Sequence, residues 1–134
     1  MNPHIYKFKL VKVISSDTIV VNIDLGMNIW TRNVKIKLNK VNGYAIEEGS
    51  SLERQIKHTG LTSEIIKEKG LNATRILREE LEGYHRDLLI HTLKKDSRGR
   101  WLSDIYLEGV EQSLNDWMLE EQLVMGFNYV KEES

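Results

Sequence analysis

Apolar and polar residues alternate along three consecutive segments at the beginning of the chain. The apolar members of these segments are Phe8, Leu10, Val11 and Val13; Ile19, Val21, Ile23 and Leu25; and Val34, Ile36, Leu38 and Val41. Alternation of β-branched residues with polar ones is typical of strands that bury one face. The intervening sequences Ser15-Ser16-Asp17 and Gly26-Met27-Asn28 are rich in turn-forming residues. We therefore predict an antiparallel three-stranded meander over residues 5–14, 17–25 and 31–41.

The connection after this meander is predicted to be irregular before a helix begins. Residues 43–60 are polar and lack periodicity, which predicts a mobile loop with at most one helical turn over residues 52–56. Thr62-Ser63 suits the start of a helix that ends at Gly83, with Gly70 as a potential interruption. The apolar residues of this helix, which fit one face, are Ile65, Ile66, Leu71, Ile76, Leu77 and Leu81.

Two further strands and a second helix complete the predicted chain. Residues 86–94 and 100–107 have the composition of strands, and Asp96-Ser97-Arg98-Gly99 between them is a strong turn signal. Ser113 can cap a last helix, whose end is marked by Gly126. The fold class predicted by this order is mainly β with α. We expect a five-stranded OB-type barrel, with one helix between strands three and four and one C-terminal helix.

Composition excludes several classes of protein. The 134 residues suit a single domain, over 1–134, with a core of its own. Cysteine is absent, which excludes disulfides, thiolate zinc sites and cysteine nucleophiles. No apolar run approaches the ~20 residues of a membrane span, and the first residues lack the apolar core of a signal peptide. We therefore expect a cytoplasmic protein with no membrane partner.

Charge is distributed unevenly although the formal net charge is only −1. Proteins that bind nucleic acid without specificity usually carry a basic excess, because affinity grows with the number of phosphates neutralised. Here the excess is local, since the predicted N-terminal sheet is basic and the last helix is acidic. The basic residues among the first 40 are Lys7, Lys9, Lys12, Arg32, Lys35, Lys37 and Lys40, against Asp17 and Asp24.

Six short stretches, spread over about residues 11–129, carry a family resemblance. They are Ser16-Asp17-Thr18, IDLGMNIW, VKIKLNKVN, KGLNATRIL, DSRGR and SLNDWMLEEQLV, in this order. Together with the predicted order of elements, they resemble the staphylococcal nuclease-like (thermonuclease) family, in particular the form found among bacteriophage proteins. A phage origin would place the protein in the host cytoplasm.

The resemblance implies a site but also a loss of its chemistry. Enzymes of this family hydrolyse phosphodiesters with one calcium ion, a glutamate that activates water and two arginines that stabilise the transition state. By position, Asp17 matches the first metal-binding aspartate and Asn42 replaces the second. Lys37 replaces the first arginine, Arg100 retains the second, and Ala45 stands in place of the glutamate base.

These replacements predict a degenerate active site, with calcium bound weakly or not at all. A positioned base contributes about 10²–10⁴-fold to a rate, and an oriented electrostatic donor about 10²–10³-fold. Lys37 and Arg100 would then be vestigial catalytic residues. Glu47 or Glu48 could serve as a substitute base in an active calcium-dependent endonuclease. The sequence also leaves open whether Ala45 is native or an engineered replacement.

The function expected on this basis is binding. Candidate contacts to phosphate or nucleic acid are Lys37, Arg98, Arg100, Tyr44 and Tyr129, which combine basic groups with aromatic rings on an OB-type surface. The ligand would be a nucleic acid or a nucleotide. A protein partner, bound by an inhibitor or decoy, is the other expectation.

Overall fold

The computed structural model describes residues 5–126, so Tyr129 lies outside the described part of the chain. The elements in chain order are β1 (Ile5–Ser15), β2 (Thr18–Gly26), β3 (Ile29–Leu38), β4 (Val41–Asn42), α1 (Ser50–Thr59), α2 (Ser63–Gly83), β5 (Leu88–Lys95), β6 (Trp101–Leu107), α3 (Leu114–Glu120) and β7 (Met125–Gly126).

Five strands close into a barrel in the order β1-β2-β3-β6-β5, and β1 pairs with β5 to complete it. All neighbours are antiparallel except β3 and β6, which run parallel with Ile36 beside Trp101 and Leu38 beside Ser103. Strands β4 and β7 form a separate two-stranded sheet. The predicted five-stranded barrel, mainly β with α, is confirmed, and its topology is consistent with an OB-type barrel.

The alternation in the sequence sets which face of each strand enters the barrel. Val13, Ile19 and Ile36 are register partners on β1, β2 and β3, and all three belong to the central core. Leu77 and Leu81 of α2 pack into the same core. Side chains at the neighbouring positions of these strands therefore point outward, where the site is built.

The connection between β3 and β5 differs most from the prediction. Residues 50–59 form the helix α1 rather than part of a loop, so two helices, not one, separate the third and fourth barrel strands. Gly70 does not interrupt α2, which is continuous. Thr62 caps it as predicted, its side chain accepting a hydrogen bond from the Ile65 N–H at 3.3 Å.

Two boundaries are also corrected. The third strand ends at Leu38, and a turn containing Lys40 with a positive φ separates it from β4. The last helix is capped by Ser113 as predicted but ends at Glu120, well before Gly126. Within residues 5–126, none of the helices has the length and apolar character needed to cross a membrane.

Candidate functional site

A cleft of about 770 Å³ lies on the outside of the barrel, where several chain segments meet. It is bounded by the β1–β2 turn, the end of β3, the residues from β4 to α1, and the β5–β6 turn. Most residues singled out from the sequence line it: Asp17, Lys37, Asn42, Tyr44, Ala45, Glu47, Glu48, Arg98 and Arg100. The structure thus brings these positions together from segments that are distant in sequence.

Asp17 is the most highly connected carboxylate of the cleft. Its Oδ1 accepts hydrogen bonds from the Ser15 and Thr18 hydroxyls, both at 2.9 Å. Its Oδ2 accepts one from the Gly43 N–H at 2.8 Å and lies 3.6 Å from Lys37 Nζ. Asp17 therefore fixes the β1–β2 turn to the segment after β4.

The amine of Lys37, at the cleft, is engaged by oxygen atoms of the protein. Its side chain is only 11% exposed, and Nζ donates hydrogen bonds to the carbonyl oxygens of Leu38, at 3.3 Å, and of Val41. Burial, reinforced by the positive charge of Arg100, lowers the pKa of Lys37, while the nearby Asp17 carboxylate opposes that shift. Lys37 is thus engaged with the protein, whereas the sequence suggested a contact to phosphate.

Acid should remove part of the stability contributed by Asp17. Burial alone would raise its pKa, but Lys37 and the hydrogen bonds from Gly43, Thr18 and Ser15 outweigh burial and lower it. A lowered folded-state pKa contributes stability above the unfolded value of about 3.9, and this stability is lost as the pH falls through the folded value.

We therefore expect Asp17→Asn to be less stable than the wild type at neutral pH, by a gap that closes on acidification. Urea unfolding of both proteins over a series of pH values measures this gap. A gap of constant size down to strongly acidic pH would contradict the assignment.

The β5–β6 turn contributes Arg100 to the cleft. Asp96 organises this turn: its Oδ1 accepts from the N–H groups of Arg98 and Arg100, and its Oδ2 accepts from Arg100 Nε, each at 2.9 Å. Burial would raise the pKa of Asp96, but these contacts and the charge of Arg100 lower it. Arg100 Nη1 also donates to the Thr18 hydroxyl at 3.4 Å. The guanidinium is therefore held in one orientation.

Gln55, which the sequence analysis did not single out, supports the wall opposite the barrel. This residue of α1 is 2% exposed. Its Nε2 donates to the Gly43 carbonyl oxygen at 3.0 Å, and its Oε1 accepts from the Ala45 N–H at 2.8 Å. The segment that carries Ala45 is thus fixed to α1 through its backbone, and Ala45 itself contributes a methyl group and no proton acceptor.

Gly43 lies where the two walls of the cleft approach each other. A Cβ atom at this position would overlap the Ser16 hydroxyl and lie 3.3 Å from Asp17 Cγ. Ser16 Oγ is buried and has no hydrogen-bond partner within residues 5–126. A side chain at position 43 would therefore have to displace the Ser16 hydroxyl, and no sequence motif indicated this close approach.

The other predicted residues lie on the rim. Tyr44 is half-buried, with Lys69 Nζ 5.6 Å from the centre of its ring. Glu47 and Glu48 are both exposed, and Glu48 forms an ion pair with Lys67. The structure does not bring either glutamate into a described contact with Asp17.

The donor groups present do not fit the calcium ion that the resemblance implies. Calcium requires several free oxygen ligands, and carboxylates are common among them. Both oxygens of Asp17 are already engaged, and the amine of Lys37 lies beside one of them. Asn42 supplies an uncharged amide at the second position. Within residues 5–126 there is also no cluster of three acidic or histidine side chains able to hold a metal ion.

No known protein family matches the chain, and no curated protein matches it at a significant level.

Proposed function

We propose that the protein is a nuclease-like OB barrel that binds nucleic acid through its cleft and an adjoining basic face, without hydrolysing it. The observation that carries this proposal is the arrangement of lysines on the outside of β1–β3. These strands contain five exposed basic side chains and one acidic side chain, besides the buried Lys37: Lys7, Lys9, Lys12, Arg32 and Lys35, against Asp24.

The register of the sheet places this charge next to the cleft. Thr18 and Lys37 are partners at the cleft. Two residues further along the same face, Val20 lies between Lys12 on β1 and Lys35 on β3. Lys9, opposite Asn22, forms the following row. We call the exposed lysines Lys9, Lys12 and Lys35 the basic face.

The spacing of these rows suits a polynucleotide. Rows two residues apart on a strand are separated by roughly 6–7 Å, a distance that an extended nucleic-acid strand matches with successive phosphates. The exposed amines of the basic face are positioned for phosphate oxygens, because a lysine contacts phosphate as a point charge. A nucleic-acid strand bound along the basic face would enter the cleft where that face ends.

Arg98 and Arg100 provide the contacts at the cleft itself. The hydrogen bonds of the Arg100 guanidinium within residues 5–126 use Nε and Nη1, which leaves Nη2 for a phosphate oxygen. Arg98 is exposed on the same turn. Tyr44 offers a ring on which a base can stack. The absence of a side-chain base at Ala45 supports binding rather than hydrolysis.

Fluorescence anisotropy with a labelled single-stranded oligonucleotide tests the proposal. We expect the double variant Lys12→Gln/Lys35→Gln to bind more weakly than the wild type. The plot of log K against log salt concentration should also become less steep. The magnitude of its negative slope should fall by about 0.7 for each phosphate that the variant no longer neutralises. Calcium and a chelator should leave binding unchanged, and no cleavage should occur under either condition.

Lys57→Gln/Arg78→Gln is the matched control, since it removes the same charge from exposed positions on α1 and α2. Equal binding by both double variants would contradict a role for the basic face. Absence of any binding at low salt would exclude nucleic acid and favour a protein partner.

Hydrolysis with Glu47 as the base is the second candidate. Glu47 lines the cleft, is exposed, and makes no ion pair within residues 5–126. Calcium-dependent cleavage of DNA or RNA that is abolished by both Glu47→Gln and Arg100→Ala would establish this candidate and refute the proposal of binding alone.

A further inference from the structure

Three oxygen atoms surround the amine of Lys37. They are the carbonyl oxygens of Leu38 and Val41, which accept hydrogen bonds from Nζ, and Oδ2 of Asp17, at 3.6 Å. The two carbonyls belong to the end of β3 and the beginning of β4, whereas Asp17 belongs to the β1–β2 turn. We call these three oxygens the Lys37 cage.

The cage has the chemistry of a site for a hard cation. One carboxylate and two backbone carbonyls are ligands that calcium accepts. An ammonium group is a compact cation with three donors, so it satisfies three oxygens in a similar way. The Asp17 side chain is only 14% exposed, and a carboxylate buried to that degree requires a neighbouring positive charge.

We infer that the Lys37 ammonium is an internal cation that takes the place of a metal ion in this cage, and that removal of the ammonium turns the cage into a calcium site. The wild-type cleft then needs no divalent cation, because the Lys37 ammonium supplies the positive charge. This inference concerns the protein alone, so it holds or fails independently of the proposed ligand.

The backbone around the cage supports a structural role for this cation. The Leu38 N–H donates to the Asp17 carbonyl oxygen at 2.9 Å, and the Gly43 N–H donates to Asp17 Oδ2 at 2.8 Å. The cation therefore lies where the β3–β4 turn folds back over the β1–β2 turn. Without a positive charge there, the carbonyl oxygens of Leu38 and Val41 would face Asp17 with no shared donor.

Thermal unfolding with and without calcium tests the inference on the full chain. Lys37→Ala removes the ammonium together with the chain that carries it, which leaves room in the cage for a calcium ion and for the water ligands that complete its coordination. In chelator we expect its Tm to fall by on the order of 10 °C, because a buried carboxylate has lost its partner. Calcium should recover most of this loss, whereas the wild-type Tm should not change.

Three controls separate the cage from other effects. Lys37→Ala/Asp17→Asn lacks the carboxylate and should show no recovery with calcium. Lys37→Arg retains the charge and should behave like the wild type toward calcium. Sodium chloride at matched ionic strength should not restore the Tm, because it screens charges without coordinating the oxygens of the cage.

Two results would overturn the inference. The first is a wild-type protein that binds calcium in isothermal titration and is stabilised by it. The second is a Lys37→Ala protein whose Tm does not respond to calcium. If Lys37→Ala is unfolded in chelator, calcium is expected to restore folding, and a failure to do so also overturns the inference.

Discussion

Replacement of Asn115 by leucine should lower the free energy of unfolding by about 3–5 kcal/mol, since each buried polar group left without a partner costs about 1–3 kcal/mol. Asn115 lies on α3 and is 1% exposed. Its Oδ1 accepts from the Ile105 N–H at 2.9 Å, and its Nδ2 donates to the carbonyl oxygens of Asn39 and Ser103, both at 3.0 Å. One amide therefore joins α3, β6 and the turn after β3.

Urea unfolding monitored by circular dichroism measures this loss. Asn72→Leu is the matched control, because Asn72 is exposed on α2 and the change should stay within about 0.5 kcal/mol of the wild type. Asn115→Asp should destabilise the protein at least as much as Asn115→Leu at neutral pH, since it buries a carboxylate that faces two carbonyl oxygens and lies near Asp104 without a cation. A loss below about 1 kcal/mol for Asn115→Leu would show that the surrounding backbone groups find other partners.

Gly70→Ala should destabilise the protein by roughly 2 kcal/mol, although alanine is normally about 1 kcal/mol better than glycine inside a helix. Gly70 is buried in the middle of α2. A Cβ atom there would overlap the Tyr44 carbonyl oxygen and lie 2.7 Å from Ile46 Cγ2. The segment that forms one wall of the cleft rests directly on this position, so the substitution should also weaken binding of the oligonucleotide.

Gly83→Ala provides the comparison within the same helix. A Cβ atom at Gly83 would meet no heavy atom within 4 Å, so alanine should be neutral or stabilising there. Thermal unfolding of both variants and their affinity for the labelled oligonucleotide give the two readouts. Equal stability of the two variants would mean that the segment containing Tyr44 moves away from α2 at little cost.

The barrel could be predicted because its strands bury one face each. Alternation places Ile19 and Ile36 in the core, and the turns between strands have recognisable residues. The helix α1 was missed because its buried residues are Leu52 and Gln55. A polar residue that is buried for its hydrogen bonds to backbone gives no hydrophobic periodicity, so the segment resembled a loop.

The residues that line the cleft were predicted in part. Asp17 and Arg100 were identified through the family resemblance, and the structure places both at the cleft. Their contacts to Gly43 and Asp96 depend on how separate turns meet in space, which no spacing in the sequence reveals. The same reason explains why Lys37 was assigned to phosphate, whereas its amine is held by backbone carbonyls.

The parallel pairing of β3 with β6 joins residues 36–38, which include Lys37, to residues 101–103, which directly follow Arg100. If β3 and β6 separated, Lys37 would move away from Arg100 while β1, β2 and β3 stayed paired. Local opening of this kind exposes backbone amides to hydrogen exchange with solvent. A ligand that spans the cleft would therefore slow exchange along β6, including at amides that it does not touch.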